Sequence, residues 1–482
     1  MSGIAAFFQS WTALSPEIAL VILIVFHLAF DLYRKTDPIT LIRSAVLGAV
    51  LMLVILFLLW PSGSSLFGGA FRLDSFAILL KAVFLISGIL TLVMTHEYVH
   101  SLGERAADFV VMILIAVLGG FFLASSTDLI TLFVTIEWMT LSLYVLTAYQ
   151  RTEAHGLEAG TKYLIMGVFS SALFLYGTSF VYGAVGALGF DQIRAALPLV
   201  SGNLLFRIGL LLIFSGIGFK ISAFPFQLWV PDVYQGAPTP VTAFLSTGSK
   251  TAGLAALLKI AYSAVGTEHL NWPVFLSFLS AATLLYGNLG ALGQTNMKRL
   301  FAYSSIGHAG YLLMAVAAGT PFGAAAALFY LVVYVISNLA AFLVIVVVNR
   351  DLNAGEIVSY RGLAKKAPLA AGVFFIALLS LGGIPPLAGF FGKFLVFQAA
   401  ISRGYLWLAL LGALNVIVSL YYYLSIVREM FFKQGASDRG RRIRFSPGTQ
   451  AFLLLLSLGM IGIGIFQEPI LTFAKAGAQT LF

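Results

Sequence analysis

FKISAFPFQLWVPD (219–232) and LGGIPPLAGFFGKF (381–394) each set prolines inside a long apolar run: Pro225 and Pro231 in the first, Pro385 and Pro386 beside Gly382 and Gly383 in the second. Proline removes a backbone donor and clashes with the preceding turn, so each run reads as a helix broken near its middle. Working outward, apolar runs bounded by polar or Gly/Pro turns fall near 16–33, 40–60, 75–95, 108–125, 127–149, 160–184, 204–229 and 241–264. They continue near 272–293, 300–317, 322–349, 367–402, 405–430 and 448–468, which makes fourteen. The broken runs are the seventh and the twelfth. Two units of five helices, segments 4–8 and 9–13, would place the breaks in matching positions. Because five is odd, the second unit enters the membrane upside down relative to the first, the inverted-repeat arrangement of transporters.

The expected fold is therefore an all-α polytopic membrane protein of about fourteen transmembrane helices, with two inverted five-helix repeats that each contain a broken helix. Residues 1–107 form an N-terminal three-helix segment, 108–266 the first repeat (helices 4–8), 267–433 the second (helices 9–13), and 434–482 a loop and helix 14. Composition agrees. Of 482 residues 60% are hydrophobic and only 10% charged, against about a quarter charged in soluble domains. That excludes a soluble enzyme, a disordered chain and a nucleic-acid-binding module. Lipid-exposed backbone must satisfy its own hydrogen bonds, and the runs are too long for barrel strands, so the spans are helices.

The net charge of +9 has a membrane explanation, because Lys and Arg accumulate in cytoplasmic loops. Odd-numbered loops hold 17 basic residues: Arg34, Lys35, Arg43, Arg105, Arg151, Lys162, Lys298, Arg299, Arg350, Arg361, Lys365, Lys366, Lys433, Arg439, Arg441, Arg442 and Arg444. Even loops and the tail hold 5: Arg72, Arg194, Arg207, Arg403 and Lys475. The odd loops are thus expected in the cytoplasm and both termini on the opposite side. Met1 to Glu17 lacks a basic start and a small-residue cleavage site, so no removable signal peptide is expected. The chain has no cysteine, which excludes disulfides, thiolate zinc sites, iron–sulfur ligation and cysteine nucleophiles on it. Redox chemistry must lie on another chain.

Six basic residues remain inside apolar runs. Lys259 and Arg428 sit near segment ends, from which they are expected to snorkel to water, and Lys81 lies in the third segment. Lys220, Lys250 and Lys393 are deep, as is the carboxylate Glu137. A charge at the bilayer centre costs about 2.5–3.5 kcal/mol on insertion scales, so these groups must pair, face the protein interior or line a wet path. Two readings stay open: buried ion pairs that hold helices together, or a proton relay. Lysine suits a relay because low dielectric penalises its charged form, while a carboxylate such as Glu137 beside Lys220 would favour it.

Other motifs carry less. HEYVH (96–100) matches the zinc-peptidase pattern H-E-x-x-H, with His96 and His100 on one helix face and Glu97 as base. It lies at a segment end before a polar loop, and only Glu137 or Asp74 offers a third ligand. GSKT (248–251) lacks the P-loop glycine, because Ser249 precedes Lys250. His308, in SSIGHAG, is either a satisfied interior histidine or a relay member. The 42 Phe and 19 Tyr read as lipid-facing bulk and interfacial belt.

FKISAFPFQLWVPDVYQGAPTPVTAFLSTGSKTAG (219–253), QTNMKRLFAYSSIGHAGY (294–311), IEWMTLSLYVL (136–146) and GGIPPLAGFFGKF (382–394) together resemble the antiporter-like membrane subunits of respiratory complex I, the NADH:quinone oxidoreductase. Of the three kinds, M carries glutamate where this chain has Lys393, and L extends well beyond the fourteenth helix; the chain is most similar to N. The resemblance implies a proton relay of Glu137, Lys220, Lys250, His308 and Lys393. Glu137 would set the protonation of Lys220, Lys250 would pass the proton along a central axis, and Lys393 would mark the distal half-channel. It also implies no cofactor or metal on this chain. NADH, FMN, iron–sulfur clusters and quinone would sit on other subunits, with coupling indirect.

By the same resemblance the partners are the other membrane subunits of the complex, including the neighbouring M kind and small subunits, together with lipid. The implied location is a bacterial inner membrane with both termini periplasmic. One departure stands out: the family's usual P-F-H-x-W reads PFQLW here, and Gln227 cannot titrate. Competing readings are a multisubunit Mrp-type cation/proton antiporter, a hydrogenase-linked membrane subunit, and an intramembrane metalloprotease built on HEYVH.

Overall fold

The computed structural model describes residues 2–34, 37–59, 63–150, 153–267, 270–352, 355–433 and 443–482. Lys35, Arg151, Arg439, Arg441 and Arg442 of the loop tally, and the start of the last expected division at 434, lie outside the described residues.

The chain is an all-α polytopic membrane protein, as expected. In order it forms α1 (Ser2–Arg34), α2 (Pro38–Leu58), a small antiparallel hairpin of β1 (Ser64–Leu66) and β2 (Phe71–Leu73), α3 (Ser75–Tyr98), α4 (Ala106–Ser125), α5 (Leu129–Thr147), α6 (Ala154–Val185), α7 (Phe190–Val200) and α8 (Leu204–Ile221). Next come α9 (Trp229–Gly236), α10 (Thr239–Phe244) and α11 (Lys250–Leu258), then α12 (Trp272–Ala291), α13 (Met297–Ala317) and α14 (Pro321–Leu352). The chain closes with α15 (Leu363–Lys366), α16 (Pro368–Gly382), α17 (Ala388–Ser402), α18 (Leu406–Phe432), α19 (Pro447–Ile465) and α20 (Glu468–Gln479).

Among the described residues, twelve helices are long and apolar enough to cross a membrane. Two more runs complete the fourteen. One is 239–265, where π-helical turns at Leu245–Ser249 and Lys259–Val265 flank α11. The other is the α16–α17 pair. Packing is graded: α13 and α14 are buried along almost their whole length, whereas α1, α2, α6 and α19 leave wide faces open. Those faces carry Ile22, Leu51, Phe169 and Leu455, all exposed, as lipid contact requires.

Both breaks fall where the prolines predict. α8 ends at Ile221, and Ser222 turns left-handed at φ 68°. α16 ends at Gly382, and Gly383 does the same at φ 87°, a conformation that favours glycine. The peptide bonds Phe224–Pro225 and Pro385–Pro386 are cis.

Several expectations need correction. The first segment does not begin at 16, because α1 runs straight through Pro16. Pro16 cannot bond the Thr12 carbonyl, and the Ser15 hydroxyl donates to it instead at 2.8 Å. The hairpin, the amphipathic α7 and the closing α20 were not expected at all; each is too short or too polar to register as a span. Lys259 does not snorkel. It is buried, and its ammonium donates to the Ser126 carbonyl at the end of α4 at 2.5 Å. The tyrosines are not mainly a belt either: Tyr163, Tyr234, Tyr262, Tyr311, Tyr330, Tyr334, Tyr360, Tyr422 and Tyr423 are all buried.

Candidate functional site

Glu137 sits mid-way along α5 and Lys220 one residue before the end of α8. Their side chains meet, with Nζ 3.1 Å from Oε1. Lys220 also donates to the Thr140 hydroxyl at 3.0 Å, and Ser171 on α6 donates to the same Glu137 oxygen at 2.6 Å. The lysine is almost wholly buried, while the Glu137 side chain keeps 19% exposure. The carboxylate therefore lies at the edge of the protein interior and the ammonium within it. A buried pair of this kind gains little net stability after desolvation.

Lys250 and Lys393 share a different device. A helix leaves its last carbonyls without intrahelical partners, and the negative end of its dipole favours a cation there. At the first break, Lys250 Nζ on α11 donates to the Ile221 carbonyl at 2.9 Å. The reach is set by Gly253 one turn on, where a Cβ would lie 2.9 Å from the Ile221 nitrogen, so α11 packs directly on the end of α8. At the second break, Lys393 Nζ on α17 donates to the Leu381 and Gly382 carbonyls at 2.9 and 3.0 Å. Both lysines are buried, and neither has a carboxylate within ion-pair distance among the described residues. Each donates to carbonyls that the break itself set free.

A row of hydroxyls and one imidazole occupies the space between these ends. Tyr334 Oη on α14 lies 3.1 Å from the Ser246 carbonyl, one turn before Lys250, and 3.0 Å from Ser305 Oγ on α13. His308, one turn along from Ser304 and Ser305, has its ring 4.9 Å from that of Tyr334. Its Nδ1 is 2.7 Å from Tyr330 Oη and its Nε2 3.2 Å from Tyr423 Oη. Tyr423 in turn meets Ser304 Oγ at 2.5 Å. Tyr311, one turn beyond His308, lies under Lys393, whose Nζ is 4.8 Å from the ring centroid. Hydroxyls both give and accept protons, and an imidazole can take a proton at one nitrogen and lose it at the other.

Asp232, in the sequence just after the first break, binds Lys162 of α6 and Arg299 of α13, each at 2.7 Å. Lys298 beside it donates to the Ala237 carbonyl at the end of α9 at 2.8 Å. Gln227 is buried within the break, and its Oε1 has no hydrogen-bond partner among the described residues. A buried oxygen without a protein partner is a position for ordered water.

The geometry thus joins Glu137 to Lys220, caps the two breaks with Lys250 and Lys393, and sets His308 in the hydroxyl row between the latter two. Sequence reasoning missed Thr140, Ser171, Ser246, Ser304, Ser305, Tyr234, Tyr330, Tyr334 and Tyr423. One signal was available: Ser246 lies one turn before Lys250, and Ser304 and Ser305 lie one turn before His308. For the tyrosines there was none, because a buried tyrosine and a lipid-facing one look alike in composition.

The HEYVH motif has another use. Glu97 is bound by Arg350 and accepts from the Ser446 nitrogen at 3.0 Å and the Thr449 hydroxyl at 2.5 Å, which ties α3 to α14 and α19. Among the described residues no three His, Cys, Asp or Glu side chains group to hold a metal.

The profile of the family described as "NADH:quinone oxidoreductase/Mrp antiporter, TM" matches residues 126–419. The chain is 39% identical over 415 residues to the NADH-quinone oxidoreductase subunit N of Moorella thermoacetica, covering 86% of this chain and 87% of that one. A chain of respiratory complex I from Thermus thermophilus superposes with a TM-score of 0.82 at 32% identity, covering 96% of this chain and 100% of that one. A chain of the Mrp complex from a Dietzia species superposes with a TM-score of 0.85 at 22% identity, over 98% and 97% of the two chains, a likeness of fold.

Proposed function

This chain belongs to the NADH:quinone oxidoreductase/Mrp antiporter transmembrane family, and on that premise we propose that it moves protons across the membrane as the N-type antiporter-like subunit of an NADH:quinone oxidoreductase. The observation that carries the reading is the capping of both half-helix ends by buried lysines, Lys250 on Ile221 and Lys393 on Leu381 and Gly382, with the His308 hydroxyl row between them. An ammonium held without a carboxylate partner needs no counter-ion to be displaced before it gives up its proton, so its state follows the local potential.

In this reading Glu137 and Lys220 form the input switch. While they pair, the positive charge of Lys220 is balanced and Lys250 can remain charged close by. When the carboxylate is neutralised or drawn away, the uncompensated ammonium at Lys220 disfavours charge at Lys250. The proton of Lys250 then passes to the row of Tyr334, His308, Tyr330 and Tyr423, and on to Lys393. Gln227 serves as a water-holding position rather than a titrating one, with its free Oε1 as the anchor. The Lys162–Asp232–Arg299 cluster supplies a hydrated, charged mouth on the side of the basic loops.

The redox groups, NADH, FMN, iron–sulfur clusters and quinone, belong in this reading to neighbouring subunits, and quinone reduction there drives the switch indirectly. The division into 1–107, the inverted repeats 108–266 and 267–433, and 434–482 accompanies it. So does a bacterial inner-membrane location with the odd loops cytoplasmic and both termini periplasmic. The test is isolation of the chain in mild detergent. We expect rotenone- or piericidin-sensitive NADH:quinone reductase activity to co-purify with it. Recovery without flavin or iron–sulfur partners, but with sodium/proton exchange, would overturn the assignment in favour of a cation/proton antiporter.

A further inference from the structure

A second pair of buried opposite charges lies away from the central axis. Glu17 on α1 and Lys81 on α3 meet with Oε1 2.6 Å from Nζ, and their side chains are 3% and 0% exposed. Both precede the residues matched by the family profile. The pair is not sealed as a structural ion pair would be. A buried pair is stabilising only when its remaining lone pairs are satisfied, yet among the described residues Glu17 Oε2 has no hydrogen-bond partner. Polar atoms in that state are satisfied by internal water.

An opening to water lies nearby. Arg72, Asp74, Ser126, Thr127, Asp191 and Lys259 line an opening at the end of the helices, its rim marked by the exposed Arg72–Asp191 pair at 3.3 Å. Ser126 is the node at its floor. Its carbonyl takes Lys259, and its backbone pairs with Phe71. The Phe71 ring is the lid over Lys81, whose Nζ is 4.9 Å from the ring centroid. Phe71 thus links the wall of the opening to Lys81, and the Phe121 ring covers the same ammonium at 5.9 Å. Asp74 lies within electrostatic range of both Lys81 and Lys259, and Lys81 within range of Lys259. Lys259 stands nine residues after Lys250 on the same run, which at 1.5 Å per residue is about 14 Å along the helix.

We propose that Glu17 and Lys81 form a second proton-exchange site of this chain, loaded from water through the opening between Arg72 and Lys259 and felt along the 239–265 run by Lys250. Uptake adds one proton to the Glu17 carboxylate, converting a neutral carboxylate–ammonium pair into a carboxylic acid beside an ammonium with net charge +1. Release returns the proton to water and restores the ion pair. The charged groups within electrostatic range are Asp74, from the start of α3, which acts on Lys81, and Lys259, itself within range of Asp74, Arg72, Lys81 and Asp128. The inference rests on the proton-translocating reading above, and the two fail separately.

The test uses the assembled complex. Dicyclohexylcarbodiimide reacts with protonated buried carboxylic acids, so we expect an adduct on Glu17, located by mass spectrometry of this chain, whose yield falls as the pH is raised. The double variant Glu17→Gln/Lys81→Met leaves no unpaired buried charge, so it is expected to assemble. Its NADH-driven proton uptake, normalised to NADH oxidised, is expected to fall several-fold. An unlabelled Glu17, or an unchanged ratio in the double variant, overturns the proposal and leaves a structural ion pair. Loss of uptake in Lys220→Ala alongside either result would show that the central axis stands without it, whereas normal uptake in Lys220→Ala defeats the functional reading itself.

Discussion

Lys220→Ala lowers NADH-driven proton uptake by roughly a hundredfold or more, the scale lost when a positioned proton-transfer group is removed, while the chain stays in its complex. Two features make assembly survive. Glu137 loses its ion partner but keeps the Ser171 hydroxyl at 2.6 Å. Its side chain is also 19% exposed, so water can solvate the carboxylate, and the usual cost of orphaning a buried charge, about 3–5 kcal/mol, is not met in full. Lys220→Arg separates charge from exchange. A guanidinium would still balance Glu137, but it does not give up its proton in a protein, so uptake is expected to fall as it does for alanine. The measurement is uptake in sealed vesicles, with the amount of chain per complex determined in parallel. Normal uptake in a verified Lys220→Ala complex would remove Lys220 from the path.

Gly287→Leu is expected to prevent accumulation of the complex altogether. α12 and α13 cross in backbone contact at this point: a Cβ on Gly287 would lie 2.3 Å from the Gly307 nitrogen and 2.8 Å from its Cα. No rotamer relieves a clash with main chain, so the helices must separate. α13 carries His308, Ser304 and Ser305, and its displacement dismantles the hydroxyl row as well. Small residues at such crossings let membrane helices approach closely, and overpacking costs about 1–3 kcal/mol or more even where side chains can yield. Gly372→Ala is the control, since a Cβ there meets nothing within 4 Å, and it should leave the level unchanged. Wild-type levels of Gly287→Leu would mean that the two helices do not cross as described.

How much of this could be read from the residues depends on what kind of signal each feature leaves. The broken helices were legible because Pro225, Pro385 and Pro386 each remove a backbone donor deep inside a long apolar run, beside Gly382 and Gly383 in the second. The deep lysines were legible because a charge in an apolar run is costly enough to need a reason. What those lysines touch was not. Spacing along the chain cannot tell that Lys250 reaches back 29 residues to the Ile221 carbonyl, or that Lys393 caps the end of the half-helix before its own. Lys259 shows the same limit from the other side. Its place near a segment end suggested water, but the end of α4 packs against it and offers the Ser126 carbonyl instead. Glu17 was hidden because the first segment was read as beginning near 16, which put it at a segment end, whereas α1 starts well before it. The buried tyrosines were invisible because burial of a phenol is decided by packing, which no local pattern encodes.

The central claim is that the two capped breaks and the hydroxyl row between them form one proton path. It is tested most directly by the number of protons moved per electron pair in reconstituted complex carrying Lys250→Met or Lys393→Met. Methionine fills much of the same space without a charge, so packing is largely kept and only the ammonium at the half-helix end is lost. The predicted result is that either variant alone lowers the ratio, and that combining them lowers it no further, because both interrupt the same path. An unchanged ratio in both single variants, in complexes that oxidise NADH at the normal rate, would contradict it.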